Sequence, residues 1–221
     1  MAGDHQQFAP PPGAIPIPPG LPGFVDTERF WERDTARWTV KLLPGECYVT
    51  RSDEAIVTVL GSCISACIRD PDTGLGGMNH FMLAEQIMSS GTYPGSGFSQ
   101  INRYGCFAME SLINNLMRHG AQRDRLEIKV FGGGRILKSM TDIGARNIAF
   151  IHSWARTEGM RLVAHDLGGI QPRKLVYFPA SGRARVRRLP AIENRSIADR
   201  ELYYLRHLAQ EPDEGHVEIF T

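Results

Sequence analysis

Net charge, cysteine and long apolar runs are all scarce in this sequence, and each absence excludes a class of protein. The 25 Lys and Arg residues nearly balance the 24 Asp and Glu residues, so charge gives no reason to expect nucleic-acid or membrane-surface binding. No uncharged apolar stretch approaches the ~18 residues that a membrane helix needs. Four cysteines are too few for a disulfide framework in a chain of 221 residues. With no secretion signal visible at the N-terminus, these absences predict a cytoplasmic protein with free thiols.

Proline, in contrast, is concentrated at one end. Seven of the fourteen prolines lie in residues 1–25, a composition that favours neither helix nor sheet. We therefore expect a Pro/Gly-rich flexible arm over residues 1–40, one domain over 41–190, and a C-terminal helix and tail over 191–221 that pack on or near it. The ordered domain is expected to begin between Trp38 and Cys47.

Short β-branched runs alternate with a few helix-like segments. Strands are predicted at 54–60, 64–69, 76–83, 126–131, 161–166, 174–178 and 183–188, and helices at 103–119, 145–158 and 197–208. A strong turn at 70–74 makes a hairpin of residues 64–83. The mixed order predicts a layered α/β (α+β) sandwich, in which mixed sheets pack with two main helices.

One cysteine and one histidine lie at predicted strand ends. Cys63 follows an apolar run that breaks at Gly61 and Ser62, and His80 comes seventeen residues later. The break frees backbone N–H groups beside the sulfur, which is what an oxyanion hole needs. The hairpin also brings the start of one strand close to the end of its partner, so the imidazole is placed to activate the thiol. The pattern indicates a cysteine hydrolase or amidohydrolase.

Other interpretations of these residues stay open. Both side chains could simply be buried in the core. A zinc site formed by Cys63, Cys67, His80 and Cys106 is a further alternative, although Cys67 lies about 13 Å along the strand from Cys63.

Two further motifs have ordinary explanations. The glycines at 132–134 lack the spacing of a nucleotide-binding loop, so they predict a tight turn or a close backbone approach. Arg183, Arg185 and Arg187 alternate along one strand and so share a face, which is either solvated or a docking surface for an acidic partner.

Five motifs, in order along the chain, resemble the chemoreceptor glutamine deamidase family (CheD). They are residues 58–63, 77–83, 129–133, 143–148 and 166–169, within a stretch from Cys47 to Leu189. The resemblance implies a single α/β sandwich similar to the bacterial toxin deamidases, with a Cys–His–Thr catalytic group. Cys63 matches the nucleophile, His80 the base and Thr58 the threonine. The alternative to Thr58 is another polar group or a backbone carbonyl that orients His80.

The resemblance also implies a substrate. We expect the N–H groups of Ser62 and Cys63 to be the oxyanion donors, and Gly61 and Asn79 to contact the substrate. The implied reaction converts glutamines on the cytoplasmic helices of chemotaxis receptors to glutamate, at an exposed, shallow site that a loop at 89–99 is long enough to cover. No cofactor or metal is expected. A CheC-type phosphatase is a second expected partner, and the chain is expected to be a monomer. The alternatives are a non-catalytic adaptor and a different Cys–His acyl-transfer enzyme.

Overall fold

The computed structural model of the chain describes residues 15–83, 100–136, 143–190 and 196–204, the last without 198 and 202. Of residues 100–103 it describes the backbone alone. The loop expected at 89–99, much of the proline-rich arm and the tail beyond 204 lie outside the described residues. None of the described helices combines the length and apolarity needed to cross a bilayer.

Ten strands among the described residues form two five-stranded sheets. The strands are β1 (Phe30–Glu32), β2 (Arg37–Lys41), β3 (Cys47–Thr50), β4 (Ala55–Leu60), β5 (Ile64–Asp70), β6 (Leu75–Asn79), β7 (Glu127–Gly132), β8 (Leu162–Leu167), β9 (Arg173–Phe178) and β10 (Arg183–Arg188). The helices are α1 (Gln100–Arg118), α2 (Ile143–Thr157) and a 3-10 turn at Arg123–Arg125. Sheet I has the order β1-β2-β4-β9-β10, and sheet II has the order β3-β6-β5-β7-β8.

The two sheets and the two helices make three layers with two cores. Between the sheets lie side chains of β4 and β9 from sheet I and of β5, β6 and β7 from sheet II, among them Ile56, Leu175, Cys67, Met78 and Phe131. The other face of sheet II packs on α1 and α2. Because β5 is in the middle layer, its two faces are both buried, which explains its nearly continuous apolar sequence. The predicted layered sandwich with two main helices is confirmed.

All seven predicted strands and both core helices are present, with ends shifted by a few residues. The largest shift is in β6, which ends at Asn79 where 76–83 was predicted. The predicted hairpin at 64–83 is confirmed by antiparallel pairing of β5 with β6. The helix predicted at 197–208 is confirmed for the residues of 196–204 that the structure describes, all of which are helical. Three strands, β1, β2 and β3, were missed because each has five residues or fewer and shows little alternation.

Regular structure begins earlier than the expected boundary between Trp38 and Cys47. β1 and β2 belong to sheet I, and the rings of Trp31 and Trp38 pack edge to face at 5.6 Å. Just before β1, Arg29 Nε donates to the buried carboxylate of Glu54 over 2.8 Å. The Arg29–Glu54 pair joins residues 25 apart in the chain, so local composition did not reveal it. The residues from Arg29 onward therefore belong to the sandwich.

The arginine-rich strand forms one edge of sheet I. Arg183, Arg185 and Arg187 are exposed on one face of β10, as their alternation predicted. Arg185 also lies over the ring of Phe178, with its guanidinium carbon 5.3 Å from the ring centroid. Positive charge on an edge strand discourages pairing with another sheet.

Candidate active site

Cys63 lies where the chain passes from one sheet to the other. β4 of sheet I ends at Leu60 and β5 of sheet II begins at Ile64, so residues 61–63 form the bend that connects them. The side chain of Cys63 packs in the core between the sheets and is completely buried. The break in the apolar run therefore places the thiol at one end of the space between the sheets.

His80 reaches the same space from the end of β6. Ile64 and Phe81 exchange two backbone hydrogen bonds of 2.9 Å, which extends the β5–β6 pairing toward the bend. In this register Ser65 is opposite His80, and Cys63 is their diagonal neighbour on the same face. The hairpin thus brings the imidazole and the thiol to one side of sheet II, although no hydrogen bond joins Cys63 to Nε2 in this conformation.

Thr58 holds the imidazole from sheet I. Its Oγ1 lies 2.8 Å from Nδ1 of His80 and donates to the carbonyl of Leu42, also over 2.8 Å. Because a carbonyl only accepts, the hydroxyl proton goes to Leu42, and Oγ1 accepts from Nδ1–H. This network assigns the proton to Nδ1 and leaves a lone pair on Nε2. Strand alternation puts Thr58 on the inner face of β4 with Ile56, so it is the side chain that meets His80.

His80 is neutral in this environment. Burial lowers its pKa to about 3, an effect that the Leu42 carbonyl opposes and the positive charge of Arg200 increases. Its Nε2 is buried and has no hydrogen-bond partner among the described residues. The ring therefore presents an unprotonated nitrogen, as a general base requires.

The bend at residues 61–63 is held by hydrogen bonds to all three of its carbonyls, each 2.7 Å long. The donors, in chain order of the carbonyls, are Gly134 N, Asn147 Nδ2 and Gly133 N. Because the C=O and N–H of one peptide unit share a plane, the bonds to the carbonyls of Gly61 and Ser62 also fix the N–H groups of Ser62 and Cys63. The backbone is thus organised before any ligand arrives.

The glycines at 132–134 make this contact possible. A Cβ at Gly132 would lie 2.0 Å from the carbonyl oxygen of Cys63, and the φ of Gly132 is 116°. Both conditions strongly disfavour a larger residue. The predicted close backbone approach is confirmed, and its partner is the segment that carries the thiol.

Asn147 is a further residue of the candidate site, and the sequence did not reveal it. It is fully buried on α2, where its Nδ2 donates to the Ser62 carbonyl over 2.7 Å and its Oδ1 accepts from Leu83 N over 2.9 Å. One amide therefore connects the bend before β5 to the chain just after His80. The available signal was a polar residue on the apolar face of a predicted helix, four residues before Ile151.

Three successive backbone N–H groups converge on one carboxylate. Gly61 N and Cys63 N donate to Oε1 of Glu201 over 2.9 and 3.3 Å, and Ser62 N donates to Oε2 over 3.0 Å. The hydroxyl of Ser62 adds a fourth bond, 2.5 Å to Oε2. A cluster of backbone donors of this kind is an anion site. Glu201 belongs to the helical residues of 196–204, which we call the C-terminal segment.

The C-terminal segment closes the site. Cys63 is fully buried and His80 is 2% exposed, whereas an exposed, shallow site was expected. A cavity of about 10 Å³, at the limit for one water molecule, remains beside His80 and is lined in part by Ile197, Arg200 and Glu201. Burial, followed by the charge and hydrogen bonding of the Glu201 carboxylate, raises the pKa of the Cys63 thiol well above its ordinary value. The sequence did not predict that the C-terminal segment covers the thiol, because Glu201 is far from Cys63 in the chain.

Of the two residues expected to contact the substrate, Gly61 lies at the candidate site and Asn79 does not. Gly61 is at the site, where a Cβ would meet the side chains of Ile136 and Glu201 at 2.0 and 2.8 Å. Asn79 is not: its Oδ1 accepts from Ala66 N over 2.9 Å, and its Nδ2 donates to Ala108 O over 3.0 Å. Asn79 thus ties β6 to β5 and α1, on the opposite side of sheet II from the thiol.

The alternative zinc site does not form. All four cysteines are free, and Cys67 is buried at mid-strand on β5, opposite Met78. Within the described part of the chain, no group of three or more His, Cys, Asp or Glu side chains is placed to hold a metal ion.

Comparison with known proteins identifies the family. The family model described as "CheD chemotactic sensory transduction" matches residues 82–188. A protein of Halorhodospira halophila named "Probable chemoreceptor glutamine deamidase CheD" is 48% identical over 206 residues, which cover 93% of this chain and 95% of that protein. This chain belongs to the CheD family. The resemblance drawn from the five motifs is confirmed.

Two other CheD relatives carry the same name. The protein of Hydrogenovibrio crunogenus is 54% identical over 182 residues, covering 82% of this chain and 94% of its own length. That of Saccharophagus degradans is 48% identical over 206 residues, covering 92% and 94%. The alignment with the Halorhodospira protein covers 206 residues, 93% of this chain. The aligned region therefore contains both Cys63 and His80.

Proposed function

We propose that this chain is a protein-glutamine deamidase that converts glutamine side chains of chemotaxis receptors to glutamate. The observation that carries the proposal is the convergence of the N–H groups of Gly61, Ser62 and Cys63 on one carboxylate, beside a thiol and a neutral imidazole. A glutamate carboxylate is the product of glutamine deamidation, so the donors already bind the chemical group that the reaction makes. The names of the CheD relatives supply the substrate class.

The first half of the reaction forms a thioester. The thiol proton passes from Cys63 to Nε2 of His80, and the thiolate attacks the carboxamide carbon of the glutamine. Negative charge then develops on the carboxamide oxygen, which in the position of Oε1 of Glu201 accepts hydrogen bonds from the N–H groups of Gly61 and Cys63. Loss of one such donor commonly lowers the rate by about 100- to 1,000-fold. The C–N bond breaks as the imidazolium gives its proton to the departing ammonia.

The second half restores the enzyme. Nε2, again unprotonated, accepts a proton from water, whose oxygen attacks the thioester carbon. The C–S bond breaks, the proton returns to the sulfur, and glutamate leaves. The net change is one carboxamide and one water converted to one carboxylate and one ammonium ion. Throughout, Thr58 accepts from Nδ1–H and keeps the ring in the tautomer that both steps need.

The substrate and partner assignments extend this proposal. The glutamines lie on cytoplasmic receptor helices, so the enzyme acts in the cytoplasm. Residues 41–190 form the catalytic unit, which β1 and β2 extend, and the C-terminal segment packs on it. A CheC-type phosphatase as a second partner and a monomeric state remain predictions.

Mass spectrometry of a receptor cytoplasmic fragment tests the function. Incubation with the full chain should increase the mass by about one dalton per converted glutamine, with release of one ammonia. Addition of a primary amine distinguishes the acyl-transfer alternative, because amine transfer would add the mass of the amine. An adaptor would leave the receptor mass unchanged. Either of these last two results would contradict the deamidase proposal.

A further inference from the structure

The C-terminal segment is anchored at three places around the site. Ile197 packs with Ile136 and Leu189 on the outer side of sheet I. Glu201 projects into the bend and is 2% exposed. Beyond it, the ring of Tyr204 lies against Gly45, and its hydroxyl bonds to that of Tyr104 on α1. The segment is therefore held on both sides of Glu201, at Ile197 and at Tyr204.

The bonds to Glu201 use the polar groups that a substrate would need. Each backbone N–H of residues 61–63 is directed at its carboxylate, and the Ser62 hydroxyl is bonded to it as well. A glutamine carboxamide has the same length and planar shape as this carboxylate. The two therefore cannot occupy the donors together.

We propose that Glu201 is a built-in product mimic, which occupies the position of a deamidated receptor side chain and closes the site until a substrate displaces it. This inference rests on the proposed function, because glutamate is the product only if glutamine is the substrate. The mimicry extends to the backbone, since Glu201 is presented from a helix, as receptor glutamines are. The site is thus built for a glutamine carried on a helix.

The electrostatics of the closed state are unfavourable for catalysis. Burial, and after it the Glu201 carboxylate, raises the pKa of the Cys63 thiol, so the sulfur stays protonated. Burial lowers the pKa of His80, and the positive charge of Arg200, from the same segment, lowers it further, so the imidazole stays neutral. Displacement of the segment removes the negative charge from the sulfur and admits water to both groups. Release therefore uncovers the nucleophile and activates it.

Alkylation of Cys63 by iodoacetamide tests closure without reference to any receptor. The rate is read from the Cys63 peptide, because Cys47 and Cys106 are only partly buried. Glu201→Ala should accelerate alkylation by about tenfold or more, since it exposes the sulfur and removes the adjacent charge. Asp199→Ala is the matched control: it removes the same charge from an exposed position of the same segment and should react at the wild-type rate.

A second variant covers the case in which Glu201→Ala does not fold. Tyr204→Ala releases the far anchor of the segment and leaves every backbone donor in place, so it should also accelerate alkylation, though less. Circular dichroism identifies which variants are folded. The inference is wrong if Cys63 reacts at the wild-type rate in whichever of Glu201→Ala and Tyr204→Ala are folded. Glu201 would then be a permanent part of the bend.

Glu201→Gln tests the mimicry itself. It offers the site a carboxamide in place of the carboxylate, and hydrolysis of that carboxamide with water would restore glutamate and release ammonia. The peptide containing position 201 should therefore gain about one dalton, and the gain should disappear in the Cys63→Ala background. Retention of the glutamine by an enzyme that still deamidates receptors would contradict the assignment of Glu201 to the product position.

The two proposals fail in different ways. Faster alkylation of Glu201→Ala, with no receptor deamidation by any variant, would leave the closure standing and remove the deamidase function. Receptor deamidation by the wild-type chain, with unchanged alkylation of the folded variants, would keep the function and remove the closure.

Discussion

Oγ1 of Thr58 on β4 of sheet I and Nδ1 of His80, directly after β6 of sheet II, are 2.8 Å apart. The contact crosses the core between the sheets, so the orientation of the imidazole depends on how the two sheets pack. The hydroxyl proton of Thr58 is committed to the carbonyl of Leu42, which leaves one arrangement of the ring. In that arrangement the free nitrogen is Nε2, the one that can accept a proton from the thiol.

Thr58→Val should reduce deamidation by about 10- to 100-fold while the protein stays folded. Valine keeps the shape of threonine but removes the hydroxyl that accepts from Nδ1–H and donates to the Leu42 carbonyl, at a cost of about 1–3 kcal/mol of stability. Thr58→Ser retains the hydroxyl and should recover most of the activity. Ammonia release and thermal melting measure the two effects. Equal rates for the valine and serine variants would show that the hydroxyl does not orient His80.

Stability should fall as the pH is lowered from 7 to 5, and His80 should contribute to that fall. The pKa of His80 is about 3 in the folded chain, against an ordinary value of 6.5 for a solvated histidine of the unfolded chain. Between those values the unfolded chain binds a proton that the folded chain does not, so the contribution of His80 to the free energy of unfolding decreases by about 2 kcal/mol from pH 7 to pH 5. Above pH 7 the contribution is constant.

Urea unfolding of the wild type and of His80→Gln at pH 7 and pH 5 measures this contribution. The loss of stability on acidification should be about 2 kcal/mol smaller in the variant. His152→Gln, a change at an exposed ring on α2, should behave as the wild type does. Identical losses in His80→Gln and the wild type would show that His80 is not a buried neutral group.

Gly132→Ala should lower activity by about 100-fold, because its Cβ would displace the Cys63 carbonyl and with it the aligned N–H groups. Gly74→Ala is a suitable control, since Gly74 also has a positive φ, 68°, but a Cβ there meets nothing within 4 Å. The control should lose about 1–2 kcal/mol of stability and keep its activity. If both variants deamidate at the same rate, the glycine contact does not position the bend.

Arg29→Ala should destabilise the protein by about 3–5 kcal/mol, because it leaves the carboxylate of Glu54 buried and without its ion-pair partner. Arg37→Ala removes an exposed ion pair between β2 and Asp53 and should cost at most about 1 kcal/mol. Urea unfolding distinguishes the two. Equal losses would indicate that the residues before β1 do not belong to the cooperative fold.

The layered fold and the meeting of Cys63 and His80 at one side of sheet II were predictable because their signals are local. The apolar run that breaks at Gly61 and resumes at Ile64 marks both the end of β4 and the start of β5. The turn at 70–74 then fixes the hairpin that returns the chain to His80. Thr58 came from the family resemblance, and strand alternation explains why it faces the imidazole.

What the sequence did not reveal are contacts between residues far apart in the chain. Arg29 and Glu54 are 25 residues apart, and Glu201 is 138 residues from Cys63. A glutamate on an amphipathic helix is ordinarily solvated, and no local pattern distinguishes one that caps a distant bend. Asn147 gave a weak signal, as a polar residue on an apolar helix face, but its partners are fixed by tertiary packing alone.

The measurement that tests the central claim most directly compares Cys63→Ala with Cys67→Ala. Both cysteines are fully buried in the core between the sheets, and both changes remove one sulfur, so the two variants should have similar stability. With a receptor fragment as substrate, Cys63→Ala should release no ammonia above background, whereas Cys67→Ala should retain most of the wild-type rate. Deamidation by a folded Cys63→Ala variant at the wild-type rate would contradict the account.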